Sequence, residues 1–255
     1  MKKLLLCVLL LVTASFAAAN TALEPVPQRG TGFTKLHDQF LAEAKSGGID
    51  VLFLGDSITD FWRNRGKAVW DKEFAPLHAA NFGISADRTQ NVLWRLDHGE
   101  VDGISPKVVV LMIGTNNTGV ETNGSPRNST DEAIQGVTLV VHTLLTKLPH
   151  SKILLLAVFP RADAKGPPPG STQIKDLNTA LERLDDGKIV HFLDFSAKFL
   201  DADGKVTKEN QPDLLHPNLK GYQIWADAIR EPLSALLKES SAPPAAAPAA
   251  SDAKP

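Results

Sequence analysis

Four short apolar runs, residues 49–54, 108–113, 153–159 and 189–193, recur along this chain of 255 residues, interrupted only by Asp50 in the first and His191 in the last. Each is rich in Val, Ile and Leu and too short for a core helix, so each predicts a strand buried on both faces. Residues 79–84 form a weaker strand candidate, followed by a helix carrying Val92, Leu93 and Leu96. Amphipathic stretches fill the intervals. Phe33, Leu36, Phe40, Leu41 and Ala44 recur at helical spacing until Gly47-Gly48 stops them. Ser129 and Glu132 have capping-box spacing ahead of Ile134, Val137, Val141, Leu144 and Leu148. Ile174, Leu177, Leu181 and Leu184 make a further stripe. Tyr222, Trp225, Ile229, Leu233 and Leu236 make the last one, in which Pro232 is expected to kink or restart the helix. Alternation of strand and helix requires right-handed crossovers and gives a parallel sheet covered by helices on both faces. The expectation is one three-layer α/β domain over residues 20–239, with regular structure from about Thr31 and ligands bound at the carboxyl ends of the strands.

The two ends of the chain read differently from its middle. Lys2 and Lys3 precede an apolar run from Leu4 to Val12, and Ala17-Ala18-Ala19 offers a small-residue cleavage site, the pattern of a secretory signal peptide over residues 1–19. A membrane span needs about 20 apolar residues, and Thr13 and Ser15 interrupt this run early. The processed chain is therefore expected outside the cytoplasm, secreted or periplasmic, with no integral membrane segment. Cys7 is the single cysteine and lies in the segment to be removed. The mature chain then has neither disulfides nor thiolate metal ligands, and its stability rests on packing. The formal net charge is −2 and no long Lys/Arg cluster occurs, which argues against nucleic acid as a partner. Residues 240–255 are Ala/Pro/Ser-rich, and their composition reads as a disordered tail.

The polar motifs fall where the predicted strands stop. Gly55-Asp56-Ser57 ends the first strand, Gly83 lies at the end of the weak one, and Gly114-Thr115-Asn116-Asn117 follows the 108–113 strand. Far downstream, Asp213 precedes His216 by three residues, and Pro217 holds that histidine in an extended conformation just outside a helix. A hydroxyl, a base and a carboxylate to orient it are the parts of nucleophilic acyl transfer. Ser57 alone is weak, because a serine at a helix start is usually a cap. Asp56 reads as a turn or cap residue, since adjacent side chains on extended backbone diverge. His142 and His191 read as packing or surface residues. Asn116 and Gly83 are suited either to donating hydrogen bonds to an oxyanion or simply to making turns. No Gly-rich phosphate loop, His-Glu-x-x-His motif or carboxylate cluster points to a cofactor or a metal, and the proposed chemistry needs neither.

Taken together, Gly55-Asp56-Ser57-Ile58-Thr59, Asn81-Phe82-Gly83-Ile84, Gly114-Thr115-Asn116-Asn117 and Asp213-Leu214-Leu215-His216-Pro217 resemble the four motif blocks of the SGNH hydrolases, the GDSL esterase/lipase family. The resemblance implies a flavodoxin-like sheet of about five parallel strands. It also implies Ser57 as nucleophile, Asp213 and His216 completing a triad, and the Ser57 N–H, Gly83 and Asn116 as oxyanion donors. Within the family, Val92-Leu93-Trp94-Arg95-Leu96, Gly99-Glu100 and Pro106-Lys107-Val108-Val109-Val110 resemble the platelet-activating-factor acetylhydrolase Ib catalytic subunits. Ser85-Ala86-Asp87 stands where those relatives tend to have glycine. The expected activity is hydrolysis of short acyl esters, acetyl foremost, on a small molecule or glycan, with O-deacetylation of carbohydrate first. A lipid acetylhydrolase or lysophospholipase-like lipase is one alternative, and a non-catalytic glycan-binding module on the same fold is another.

Overall fold

The computed structural model describes residues 20–162 and 169–240. The segments read as a signal peptide and, beyond Ser240, as a tail lie outside the described residues. Five strands, β1 (Val51–Gly55), β2 (Ala79–Gly83), β3 (Val108–Met112), β4 (Lys152–Leu156) and β5 (Val190–Leu193), pair in parallel in the order β2-β1-β3-β4-β5. This is the doubly wound order whose switch point lies between β1 and β3, where such sheets hold their ligands.

Seven α-helices accompany the strands among the described residues: α1 (Thr31–Ser46), α2 (Ser57–Asp60), α3 (Lys67–Glu73), α4 (Thr89–Asp97), α5 (Thr130–Lys147), α6 (Pro169–Leu181) and α7 (Leu219–Ser240). Because strand side chains alternate, each strand feeds two cores. Leu52, Leu54, Val109, Leu111, Ile153 and Leu155 pack with the apolar faces of α1, α4, α5 and α6. Val51, Phe53, Val108, Val110, Leu154 and Leu156 pack on the other side with Trp62, Val69, Tyr222, Trp225 and Ile229. The three layers follow from burial on both faces of the strands, as the apolar runs predict.

The capping box at α5 forms as its spacing requires: the Glu132 N–H donates to Ser129 Oγ (3.2 Å) and the Ser129 N–H to Glu132 Oε2 (2.8 Å). Pro232 lies inside α7, which is assigned as one helix through to Ser240 rather than restarting. Ser240, the first residue of the expected tail, is instead the last residue of this helix. Among the described residues no helix is long and apolar enough to cross a membrane.

Candidate active site

Register brings the polar motifs to one edge. Gly55 pairs with Gly83 on one side and with Met112 on the other, so the residues that follow β1, β2 and β3 emerge together. Gly55 is required sterically: a Cβ there would stand 2.3 Å from the Met112 carbonyl oxygen and 2.4 Å from Thr59 Oγ1. The chain then turns directly into α2. Asp56 is its N-cap and accepts the Ile58 N–H at 3.0 Å, which leaves Ser57 as the first helical residue. The Ser57 N–H, at the first position, has no intrahelical acceptor. Asp56 is a cap, as its sequence context predicts. Burial, reinforced by the nearby Asp87 charge, pushes its carboxyl up to about 7 despite the Ile58 hydrogen bond.

His216 reaches Ser57 from the other end of the polypeptide. Its Nε2 lies 2.9 Å from Ser57 Oγ, and its Nδ1 lies 3.0 Å from Asp213 Oδ2. The same carboxylate accepts the backbone N–H groups of His216 (2.7 Å) and Leu215 (3.2 Å) through Oδ1. Partial burial opposes ionisation of Asp213, but these donors and the imidazole outweigh it and hold the carboxyl at about 2. With Nδ1–H committed to a carboxylate, Nε2 is left to accept a proton. The loop conformation comes from Leu214, whose φ of 61° is left-handed, and from Gln211. Fully buried, Gln211 donates through Nε2 to Leu215 O (2.7 Å) and Pro160 O (3.2 Å). Outside the pair, Arg65 Nη1 donates to Asp213 Oδ2 at 3.2 Å and its guanidinium sits 4.7 Å over the Phe61 ring. Phe61 in turn lies 4.9 Å from the His216 ring. Neither Gln211 nor Arg65 is marked by any motif in the sequence.

Asn116 and Gly83, both expected to donate to an oxyanion, are used differently. Asn116 Nδ2 donates one hydrogen to Asp87 O at 2.9 Å, which orients the amide and leaves its second hydrogen. The loop behind it is fixed by Asn117, fully buried, whose Oδ1 accepts the Thr89 N–H at the start of α4. The Gly83 N–H, in contrast, already donates to Asn81 Oδ1 at 2.9 Å. A Cβ on Gly83 would stand 2.3 Å from the Asp60 nitrogen. Glycine is needed here because α2 packs against the end of β2, and the hydrogen expected for an oxyanion is committed elsewhere.

The next turn supplies the alternative. Asp87 N donates to Ile84 O at 3.2 Å, and Ala86 has φ of 68° while Ser85 does not have a positive φ, which makes residues 84–87 a type II turn. An alanine in the left-handed region costs about 1–2 kcal/mol, and Ala86 lies in the Ser85-Ala86-Asp87 segment where the resemblance leads one to expect glycine. Gln28 Nε2 donates to Ser85 O at 3.1 Å. Since a trans peptide directs its C=O and N–H oppositely, the Ala86 N–H faces away from Gln28. Beneath the turn, Arg95 is fully buried: Nη1 donates to Phe82 O (2.9 Å), Nη2 to Gly55 O (3.4 Å), and Nη2 lies 2.8 Å from Asp87 Oδ2. Glu100 accepts from the same guanidinium and lies 3.2 Å from His37. One buried cation thus ties together the ends of β1 and β2 and the 84–87 turn. Burial pushes Asp87 up to about 7 against the pull of Arg95. Among the described residues no group of three His, Asp or Glu side chains is arranged to hold a metal ion.

The model of the GDSL-like lipase/acylhydrolase family matches residues 53–224, two-thirds of the chain. The chain belongs to the GDSL-like lipase/acylhydrolase family. Its curated relatives in that family include the platelet-activating factor acetylhydrolase IB subunit alpha1 of Bos taurus, 31% identical over 229 residues, covering 86% of this chain and 92% of the relative. Among solved structures, a GDSL-like lipase from Bacteroides thetaiotaomicron superposes with a TM-score of 0.63 at 19% identity, covering 78% of this chain and 97% of the other. Est24, a carbohydrate acetylesterase from Sinorhizobium meliloti, superposes with a TM-score of 0.57 at 20% identity, covering 74% and 99%. The fold is shared with both. As a GDSL-family member the chain is a serine ester hydrolase that acts on acyl esters.

Proposed function

We propose that this chain is an exported esterase that removes short acyl groups, acetyl foremost, from small-molecule or glycan esters. The observation that carries the reading is the continuous relay from Ser57 Oγ through both His216 nitrogens to Asp213, at 2.9 and 3.0 Å. Ser57 attacks the ester carbonyl as His216 Nε2 takes its proton, and Asp213 stabilises the imidazolium. The tetrahedral oxyanion is held by the Ser57 N–H, the Ala86 N–H and the second Asn116 amide hydrogen. Its collapse breaks the bond to the alcohol, which leaves with the proton from His216. Water, deprotonated by the same imidazole, attacks the acyl-enzyme, and His216 returns the proton to Ser57 as the acid departs. The acetyl preference is supported by the relative named as an acetylhydrolase at 31% identity. Export is supported by the leader pattern of residues 1–19.

The test is a hydrolysis panel of p-nitrophenyl acetate, butyrate and octanoate, acetylated xylan and a short-acyl phospholipid, with Ser57→Ala as the blank. Acetate is expected to be the fastest nitrophenyl ester, acetylated xylan to outpace the phospholipid, and Ser57→Ala to fall to background. A Ser57→Ala variant with near-normal turnover would falsify the nucleophile, and faster octanoate would replace the short-acyl reading with a lipase.

A further inference from the structure

Residues 20–28 precede α1 and belong to none of the strand–helix–strand crossovers, yet they run along the start of α4. Thr89 Oγ1 donates to Ala22 O (2.9 Å), the Val26 N–H to Gln90 O (3.2 Å), and Asn91 Nδ2 to Val26 O (2.9 Å). Ala22 is fully buried, and Asn128 Nδ2 donates to Thr21 Oγ1 at 3.1 Å. The last contact of this strap falls on the 84–87 turn. There Gln28 Nε2 donates both to Ser85 O, at 3.1 Å, and to Asp87 Oδ1.

The strap therefore grips the one peptide plane in the turn that matters for the oxyanion. Type I and type II turns differ by a flip of the central peptide, here 85–86, and an L-residue at the third position favours type I. Ala86 is such a residue, held at φ of 68°. The 84–85 side is fixed independently, since Ser85 N–H and Oγ–H both donate to Asp60 Oδ2, at 3.2 and 2.5 Å. Those bonds do not restrain the next peptide. Flipping it would swing Ser85 O to the face now occupied by the Ala86 N–H, replacing a donor by an acceptor.

We infer that Gln28 is a positioning residue for ester hydrolysis, holding the 85–86 peptide against its flip so that the Ala86 N–H stays aimed at the oxyanion. The inference rests on the proposed role of that N–H. It predicts a specific rescue. Glycine at position 86 favours the type II turn without help, so the need for Gln28 is removed once Ala86 becomes glycine.

The experiment uses the full-length chain as it is processed on expression, with Gln28→Met, which keeps bulk but not the donor, and Gln28→Ala as a second variant. Steady-state kinetics on p-nitrophenyl acetate are read together with affinity for a trifluoromethyl ketone, whose adduct with the serine is tetrahedral and anionic. Loss of one oxyanion donor costs on the order of 10²- to 10³-fold, and partial loss by flipping is expected to lower kcat about tenfold or more with KM little changed. Ketone affinity is expected to fall in parallel, and Ala86→Gly placed in the Gln28→Met background to restore both. Folding is followed by thermal unfolding, and if Gln28→Ala fails to fold, the Gln28→Met pair decides. Normal kcat in folded Gln28→Met, or no recovery with Ala86→Gly, overturns the inference. Asn116→Ala serves as the separate check: if it loses kcat and ketone affinity while Gln28→Met does not, the oxyanion site stands and only the strap's role falls.

Discussion

Asp56 puts a carboxyl with no exposure to speak of directly beside Ser57, where the Ile58 N–H is its capping partner. Its folded-state value is raised from 3.8 to about 7, so between those limits the native chain holds a proton that the unfolded chain has released. Stability then falls as pH climbs through that window, and the loss is complete above it. Asn keeps the capping oxygen and cannot ionise. Asp56→Asn is therefore expected to match the parent's melting temperature at pH 4 and to exceed it at pH 8, as thermal unfolding across that range would reveal. Asp213 has the opposite sign, because a value held at about 2 contributes stability above pH 4 that disappears as the pH is lowered. The role proposed for Asn116 is in turnover rather than stability. Asn116→Ala is expected to lower kcat by about 10²- to 10³-fold with KM nearly unchanged, measured on p-nitrophenyl acetate, in a protein that still folds.

Among the elements, the end of β2 separates a steric requirement from a chemical one. If Gly83 is present because α2 leaves no room for a side chain, Gly83→Ala should cost about 1–3 kcal/mol of stability, the usual range for overpacking, measurable by urea unfolding. A donor role alone would leave the midpoint where it was. The strands were legible because Val-, Ile- and Leu-rich runs have few other solutions, and their observed bounds differ from the apolar runs by at most three residues at either end. The four long amphipathic helices were legible by period. Residues 57–77 were not, because α2, α3 and two short 3-10 turns bury Ile58, Trp62, Val69 and Phe74 without one sustained repeat. The candidate triad was readable since Ser57, Asp213 and His216 carry chemistry in their side chains. The proposed donor at Ala86 N–H was not, because a backbone donor has no residue type of its own. Its one trace in the sequence was the Ser85-Ala86-Asp87 segment, where the resemblance leads one to expect glycine, whereas Gly83 stands out as a glycine at a strand end.

Across the whole molecule, a hydroxyl near the start and an imidazole near the end must meet, and α7 helps to keep them together. Tyr222 is fully buried on its first turns and donates through its hydroxyl to Ile58 O at 2.7 Å. Tyr222→Phe removes that buried hydrogen bond, and a loss of about 1–3 kcal/mol is expected from chemical denaturation. A larger fractional loss of kcat than of KM would show that the bond also sets the distance from Ser57 to His216. The edge that carries Ser57 is thus tied to α7 through Tyr222 and, through the 84–87 turn, to residues 20–28. On the inferred role of Gln28, a molecule that pries residues 20–28 from the 84–87 turn is expected to slow hydrolysis without occupying the crevice, so inhibitors of this chain need not look like its substrates.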